Sequence, residues 1–290
     1  MKLQILNSKI DQSINFVEDQ LVGFLESRFV RKCDEYFICY LSSQSGCNRG
    51  CTFCHLTATG QTTFTDADQN DYTSQAMRVM RHYKAQTVKA KYVHYNFMSR
   101  GEALANNNFL NSADSVLWGL GELGSREKLG VKFNISTIMP LTFKRSLVDV
   151  FKIIHPTIYY SLYSCNQDFR NKWMPGAMNI NDAMKLLKEY QMYSKKVIKI
   201  HHAFIRDVND SLDDVKEMCD TIKDNNLNVE FNLVRYNPAS PAQGEESHVQ
   251  VIESNMKYIR DNISGLAKVI PRVGYDVAAS CGMFSNPNEK

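Results

Sequence analysis

The chain has 290 residues with a formal net charge of +3, and 43% of its residues are hydrophobic. This length suffices for one sizeable core, and the mild positive charge is compatible with nucleic acid but only weakly favours it. No run of about 18 apolar residues occurs, so the sequence predicts no membrane span. The first residues lack the apolar stretch of a secretory signal, so a cytoplasmic protein is expected. Eight cysteines in such a chain favour metal binding or catalysis over disulfides.

The N-terminal part is predicted to contain a helix and then a hairpin. Apolar residues between Ile10 and Leu21 fit one face of a helix. Residues 21–30 and 36–41 read as two strands around the polar turn 31–35. We expect this hairpin to lead directly into a cysteine-rich loop. The first 35 residues are therefore treated as an extension, and residues 36–290 as the main domain.

Strands and helices are then expected to alternate to the end of the chain. The predicted strands cover 92–97, 131–136, 157–162, 197–205, 228–234 and 267–272. The predicted helices cover 66–83, 108–123, 142–154, 180–193, a segment opened by Ser211, and 246–263. About six βα units in sequence predict a parallel sheet with right-handed crossovers. In barrels built from βα units, the catalytic residues lie at the C-terminal ends of the strands.

Three cysteines follow the predicted hairpin, in the order Cys47-Asn-Arg-Gly-Cys51-Thr-Phe-Cys54. Clusters of the [4Fe–4S] type are normally held by four cysteines, so three thiolates predict a cluster whose fourth iron is open to another ligand. Zinc is the alternative, but zinc sites usually combine two Cys or Cys/His pairs, and no second pair follows here at a suitable distance. His55 is adjacent to the third cysteine and is badly placed as a further ligand.

The spacing of these cysteines resembles that of radical S-adenosylmethionine (SAM) enzymes. The resemblance implies that SAM binds the open iron and that Phe53 covers the adenine side of SAM. It also implies that Gly101-Glu102, after the strand ending at Phe97, binds the SAM amino group. The expected fold is α/β, a partial TIM-like (βα)6 barrel.

Six ordered blocks extend the resemblance to one family, the RlmN/Cfr group of radical-SAM RNA adenine methyltransferases. The blocks span roughly residues 26–284 and are Ser42–Cys47, Gly101-Glu102, Ser161–Pro175, Val208–Ser211, Asn232–Pro238 and Asp276–Gly282. The resemblance implies that the remaining SAM contacts are made by Ser136, Ser161, Leu162, Tyr163 and Asn237.

The family's chemistry assigns roles to three further residues. A methyl group is first loaded from SAM onto a late cysteine, which Cys281 matches by position. After radical addition to C2 or C8 of adenine, a base removes the ring proton and a second cysteine releases the product through a disulfide intermediate. Cys39 is the candidate for the second cysteine, although one extra residue separates it from Ser42. Glu26, thirteen positions before Cys39, is the candidate base.

The chain departs from the family in several places. Tyr163 stands where the family has histidine, and Ser99–Ala103 replaces the family's G-M-G-E-P. An RNA substrate, an electron donor such as flavodoxin or ferredoxin, and a monomeric state are expected. Five residues on loops are candidates for phosphate binding or base stacking, namely Arg170, Lys172, Trp173, Arg206 and Arg235.

Two other functions compete with RNA methylation. One is a radical-SAM reaction of another type on a nucleotide or a small molecule. The other is a non-catalytic iron–sulfur sensor, which needs no SAM pocket. The SAM-contacting motifs argue against the sensor.

Overall fold

A single ten-stranded sheet runs through the protein, whose computed structural model describes residues 2–286. The strands are β1 (Leu3–Asn7), β2 (Ile14–Asp19), β3 (Phe24–Val30), β4 (Tyr36–Tyr40), β5 (Tyr92–Phe97), β6 (Gly130–Thr137), β7 (Thr157–Ser161), β8 (Ile198–His202), β9 (Val229–Val234) and β10 (Ala267–Ile270). The helices are α1 (His55–Ala58), α2 (Gln69–Lys84), α3 (Asn107–Arg126), α4 (Leu147–Val150), α5 (Gln167–Trp173), α6 (Ile180–Ser194), α7 (Leu212–Asp224) and α8 (Val249–Asn262). No helix among these residues is long and apolar enough to span a membrane.

The strands are arranged in the order of the sequence. The pairs β1–β2, β2–β3 and β3–β4 are antiparallel, whereas every pair from β4 to β10 is parallel. All six crossovers between parallel strands carry helices. This arrangement confirms the predicted α/β, partial TIM-like fold. Among the described residues no pairing joins β1 to β10, so the sheet is open there. The proposed boundary after residue 35 stays a prediction, since both parts share the sheet.

Helix starts follow from the capping residues in the sequence. Asp68 and Asp71 form a capping box at the start of α2, each side chain accepting from the other's backbone N–H at 2.9 Å. The side chain of Ser211 accepts from the backbone N–H of Asp214 at 3.1 Å, as the sequence predicts for α7. The apolar faces of these helices cover the outer face of the sheet in one large core.

Two predicted helices are corrected by the structure. Residues 3–19 form β1 and β2 instead of a helix, and the strand character of β2 is explained by burial on both of its faces. Residues 142–154 contain only the short α4, because the carboxylate of Asp114 accepts from the backbone N–H groups of Ile153 and Ile154 and holds them outside a helix. The sequence analysis also missed α5, which Asn166 caps.

Residues 271–286, which we call the C-terminal segment, return from β10 to the N-terminal strands. Asp276 accepts from the hydroxyl of Ser8 and from the backbone N–H of Lys9, both at 2.7 Å. The side-chain amide of Asn15 on β2 donates to the carbonyl of Val277 at 3.1 Å. The segment therefore bridges the two ends of the open sheet and places residues 280–285 beside the ends of the parallel strands.

Candidate active site

A cavity lies at the C-terminal ends of the parallel strands, as expected for a barrel of this type. Its lining includes all three residues of the cysteine motif and most of the other predicted site residues, namely Cys47, Cys51, Cys54, Phe53, Gly101, Glu102, Ser136, Ser161, Tyr163, Asn237 and Cys281. Residues separated by more than 230 positions in the sequence thus share one site. Cys39, Glu26 and Leu162 are the predicted site residues that do not line it.

The cysteine loop follows β4 and is held in a tight curve. Gly50 adopts a φ of +73°, a left-handed conformation that suits glycine between two of the cysteines. The backbone N–H of Cys47 donates to the carbonyl of Gln61 at 3.1 Å, and that of Cys54 donates to the carbonyl of Cys51. The loop therefore directs three thiols into one cavity.

Burial keeps these thiols protonated until a metal binds. Burial and the neighbouring Cys54 raise the pKa of Cys47 to about 12. Burial also raises the pKa of Cys51 well above the ordinary value, and Cys54 and Cys47 add to that rise. Thiolate ligands must be deprotonated, so loading of this site releases protons.

Three thiols on one loop match the number of protein ligands in a [4Fe–4S] cluster with one open iron. Within residues 2–286, no three His, Cys, Asp or Glu side chains are grouped as ligands of one metal ion. A cubane cluster distributes its thiolate ligands over separate irons, whereas one zinc requires all its sulfurs at about 2.3 Å.

Glu102 supplies a buried negative charge to the cavity. Its two oxygens accept from the backbone N–H groups of Leu104 at 3.1 Å and Ile138 at 3.0 Å. Burial raises the pKa of this carboxyl, and these backbone hydrogen bonds only partly offset the effect. No ion pair to Glu102 occurs in the described part of the chain. A buried carboxylate without a cationic partner fits the ammonium group of SAM.

Gly101 brings the backbone close to Gln44, which lies between β4 and the cysteine loop. Its φ is +89°, and a Cβ here would lie 2.6 Å from the backbone nitrogen of Gln44. The side-chain oxygen of Gln44 accepts from the backbone N–H of Glu102 at 3.1 Å. Only glycine therefore fits at this position, which fixes where the carboxylate of Glu102 points.

Phe53 and Tyr163 form the aromatic wall of the cavity. Their rings are stacked with centroids 4.1 Å apart, and His202 packs behind Tyr163 at 5.8 Å. Tyr163 thus occupies, with a larger ring, the place predicted for the family's histidine. Leu162 is fully buried and contributes its carbonyl, which pairs with the ring of His202.

Cys281 lies in the same cavity as the cysteine loop. It packs against the small apolar cluster that contains Cys51, and burial raises the pKa of its thiol. The side-chain amide of Asn237 donates to the carbonyl of Cys281 at 2.9 Å, while its oxygen accepts from Arg272 at 2.6 Å. Asn237 therefore lines the cavity and also holds the backbone of the late cysteine.

The structure places Cys39 outside the cavity. Its thiol is fully buried in the main core, on the opposite face of β4 from the cavity. Tyr40, the next residue, faces Cys281: burial and the Cys281 thiol both raise the pKa of its phenol. The extra residue before Ser42 thus turns Cys39 away, because neighbouring side chains on a strand point to opposite faces.

Glu26 also differs from its expected setting. It lies on β3 outside the cavity, fully buried between Arg28 and Arg100. Burial alone would raise its pKa, but the attraction of Arg100 and Arg28 holds the pKa below the usual range. Arg100 was not singled out by the sequence analysis, although its place in Ser99–Ala103 marked a departure from the family.

Four of the five proposed phosphate-binding or stacking residues are engaged within the protein. Arg170 is buried and donates to the carbonyl of Met178 at 2.9 Å, and Trp173 is buried as well. Arg206 pairs with Glu245 and Arg235 with Glu246. Lys172 is exposed. His201, at the end of β8, lines the cavity.

Comparisons with known proteins identify relatives of the whole chain. No family model matches the chain. It is 24% identical to the dual-specificity RNA methyltransferase RlmN of Campylobacter lari, over 97% of this chain and 76% of that protein. It is 28% identical to the ribosomal RNA large subunit methyltransferase Cfr of Staphylococcus aureus, over 84% of this chain and 68% of that protein.

The fold has a solved counterpart. The crystal structure of a radical SAM methyltransferase from Sphaerobacter thermophilus superposes with a TM-score of 0.79 at 20% identity, covering 97% of this chain and 80% of that one. The resemblance predicted from the ordered motifs is thereby confirmed. The chain is thus similar in sequence to the RlmN and Cfr methyltransferases, and it has the fold of a solved radical SAM methyltransferase.

Proposed function

We propose that this protein is a radical SAM methyltransferase that moves a methyl group from SAM, through Cys281, to C2 or C8 of an adenine in RNA. The observation that carries the proposal is the shared cavity of Cys281 with Cys47, Cys51 and Cys54. A methyl carrier must reach both the SAM sulfonium and the substrate, so a late cysteine far from the loop would exclude this function. The names of the relatives support methylation of RNA over another radical reaction on a nucleotide or a small molecule.

The cofactors of the proposal are a [4Fe–4S] cluster and SAM. Cys47, Cys51 and Cys54 would hold the cluster, and the carboxylate of Glu102 would bind the SAM ammonium. Gly101 fixes the position of that carboxylate. Once bound, these cofactors supply the methyl group and the radical chemistry. The target base must leave its stack to reach a cavity at the end of the strands.

The remaining SAM contacts are proposed from the cavity lining. Ser136 and Ser161 end neighbouring parallel strands, and the Phe53–Tyr163 pair offers a flat apolar wall for an adenine ring. Asn237 presents its amide beside Cys281. The proposal further includes a monomer in the cytoplasm, reduced by a flavodoxin or ferredoxin.

The last step of the proposed reaction is release of the methylated RNA from Cys281. A disulfide intermediate needs a second thiol, and Cys39 lies in the core on the other face of β4. Cys39 would reach Cys281 only after a local rearrangement of that strand.

Anaerobic reconstitution with methyl-labelled SAM and total RNA, followed by nucleoside mass spectrometry, tests the function. The wild-type protein should label adenosine in RNA, whereas Cys281→Ala should cleave SAM and transfer no methyl group. Methyl transfer by Cys281→Ala would exclude the carrier role. Label on mononucleotides but not on polymers would instead favour a small-molecule substrate.

A further inference from the structure

We propose that Glu26, Arg28 and Arg100 are positioning residues, which together anchor the C-terminal segment so that Cys281 faces the cavity. We call these three residues the anchor. The inference depends on the proposed function only in the statement that Cys281 carries a methyl group. The contacts that define the anchor do not depend on it.

The anchor is a buried group of charges with more donors than its own carboxylate can accept. Glu26, Arg28 and Arg100 are at most 2% exposed. The carboxylate lies 2.6 Å from Nη2 of Arg28 and 2.9 Å from Nη2 of Arg100. Two guanidinium groups against one carboxylate leave buried N–H groups that need further acceptors, because buried charged groups are costly unless they are hydrogen-bonded. The C-terminal segment supplies acceptors for both guanidinium groups, and the side-chain oxygen of Gln61 accepts from Nη1 of Arg100 at 2.7 Å.

Glu26 and Arg100 of the anchor bind the C-terminal segment at Ser285. The backbone N–H of Ser285 donates to Oε1 of Glu26 at 2.8 Å, and its carbonyl accepts from Nη2 of Arg100. The side-chain amide of Asn15 on β2 donates to the hydroxyl of Ser285 at 3.2 Å. A single residue, four positions after Cys281, is therefore held by three side chains.

Arg28, the third residue of the anchor, binds residues of the segment that lie closer to Cys281. Nη2 of Arg28 donates to the carbonyl of Met283 at 2.7 Å, and Nη1 reaches the carbonyl of Ser280 at 3.5 Å. The ring of Phe284 faces both guanidinium groups, 5.2 Å from Cζ of Arg28 and 5.9 Å from Cζ of Arg100. Hydrogen bonds from the anchor thus bracket Cys281, in a stretch that has no regular secondary structure.

The same contacts determine what Glu26 does in this conformation. Its two oxygens accept from Nε and Nη2 of Arg100, from Ser285, from Arg28 and from Asn15, at 2.6 to 3.4 Å. A carboxylate offers about four lone-pair sites, so Glu26 has none free for a proton from a substrate. While the C-terminal segment is bound to the anchor, Glu26 therefore acts as a positioning residue. Arg100 stands where the resembled family has methionine, which makes the full anchor a feature of this chain.

The reactivity of Cys281 towards iodoacetamide tests the anchor directly. The experiment uses the cluster-loaded, SAM-free protein under anaerobic conditions, with peptide mass spectrometry as the readout. Cys33 is exposed and serves as an internal standard in the same molecule. Ser285→Pro removes the backbone N–H that donates to Glu26, together with the hydroxyl that accepts from Asn15. Because a hydrogen bond to a charged group is lost, we expect Cys281 to react about tenfold faster or more while Cys33 is unchanged.

Two further variants separate positioning from general loss of stability. The double variant Glu26→Gln/Arg100→Met removes the carboxylate together with one of its two guanidinium partners, so that only Arg28 stays charged, and it should also speed the alkylation of Cys281. Arg170→Met removes an equally buried arginine that holds a different loop, and it should leave Cys281 as slow as in the wild type.

The outcomes distinguish this inference from the proposed function. Unchanged alkylation of Cys281 in both Ser285→Pro and the double variant would overturn the anchor, whatever the reaction of the enzyme. If Cys281 is alkylated faster in these variants but the wild type transfers no methyl group, the anchor is supported and the proposed methyltransferase function is contradicted. Equal acceleration by Arg170→Met would mean that Cys281 responds only to global stability, which also contradicts the anchor.

Discussion

The cavity is assembled by two regions that differ in how their residues reach it. The loops after β4, β5, β6 and β7 deliver Cys47–Cys54, Gly101-Glu102, Ser136 and Ser161 a few positions after each strand ends or at its last residues. By contrast, Cys281 is held through residues from distant parts of the chain, namely Asn15, Glu26, Arg28, Arg100 and Asn237, and the hydrogen bond between Glu26 and Ser285 joins positions 259 apart. The first region is specified by local sequence, whereas the second depends on a small number of polar contacts.

This difference predicts that the two regions fail in different ways. Substitutions in the strand-end loops should affect the binding of the cofactors while the rest of the molecule stays folded. Substitutions in the anchor should affect stability and the placement of Cys281 together. The following predictions test that contrast.

The largest effect is expected for Glu26→Gln. The substitution leaves Arg28 and Arg100 buried without their carboxylate, so the free energy of unfolding should fall by about 3–5 kcal/mol, measured by urea unfolding at pH 7. Glu127→Gln is the matched control, because Glu127 pairs with Lys84 at the surface and such pairs contribute about 1 kcal/mol or less. Equal losses in the two variants would contradict the special role of the buried group.

The pH dependence of stability sharpens the same comparison. The pKa of Glu26 is lowered in the folded state, so its contribution is present above the unfolded pKa of about 4.3 and is lost as the pH falls towards the folded value. The wild type should therefore lose stability steeply below about pH 4.3, and Glu26→Gln should show a flatter profile there. Parallel profiles from thermal unfolding between pH 3 and pH 6 would argue against an ionised Glu26.

In the strand-end region, Glu102→Gln should weaken SAM binding by about tenfold to a hundredfold. The estimate corresponds to about 1.5–3 kcal/mol for a hydrogen bond between charged groups. Isothermal calorimetry with the cluster-loaded protein measures it, and unfolding by urea should change little. Glu122→Gln, on the exposed face of α3, is the control. Unaltered SAM affinity in Glu102→Gln would remove the proposed ammonium site.

The smallest effect is expected for Cys39→Ala. Its thiol lies in the main core, so the variant should lose about 1 kcal/mol of stability and still load a methyl group onto Cys281. Mass spectrometry of the Cys281 peptide after incubation with SAM provides the measurement. If Cys39 resolves the intermediate in spite of its position, loading will persist but release of methylated RNA will stop. That result would show that β4 rearranges during the reaction.

Some features of this protein follow from its sequence alone. The alternation of strands and helices from residue 66 onward specified the parallel sheet, because a strand followed by a covering helix has few ways to pack. The spacing Cys47–Cys51–Cys54 specified a three-thiolate loop, since all its ligands lie within eight residues. Gly101 was singled out only through the family resemblance, and the structure supplies the reason for glycine, namely its positive φ and its close approach to Gln44.

Other features were decided only by the tertiary structure. The side of β4 on which Cys39 lies depends on how many residues separate it from Ser42, and a shift by one residue reverses it. The strand character of β2 arises from burial on both faces, which its own residues do not reveal. The link from Glu26 through Arg100 to Ser285 joins three distant segments. Charges buried in a fold are matched across space, so no local pattern in the sequence marks them.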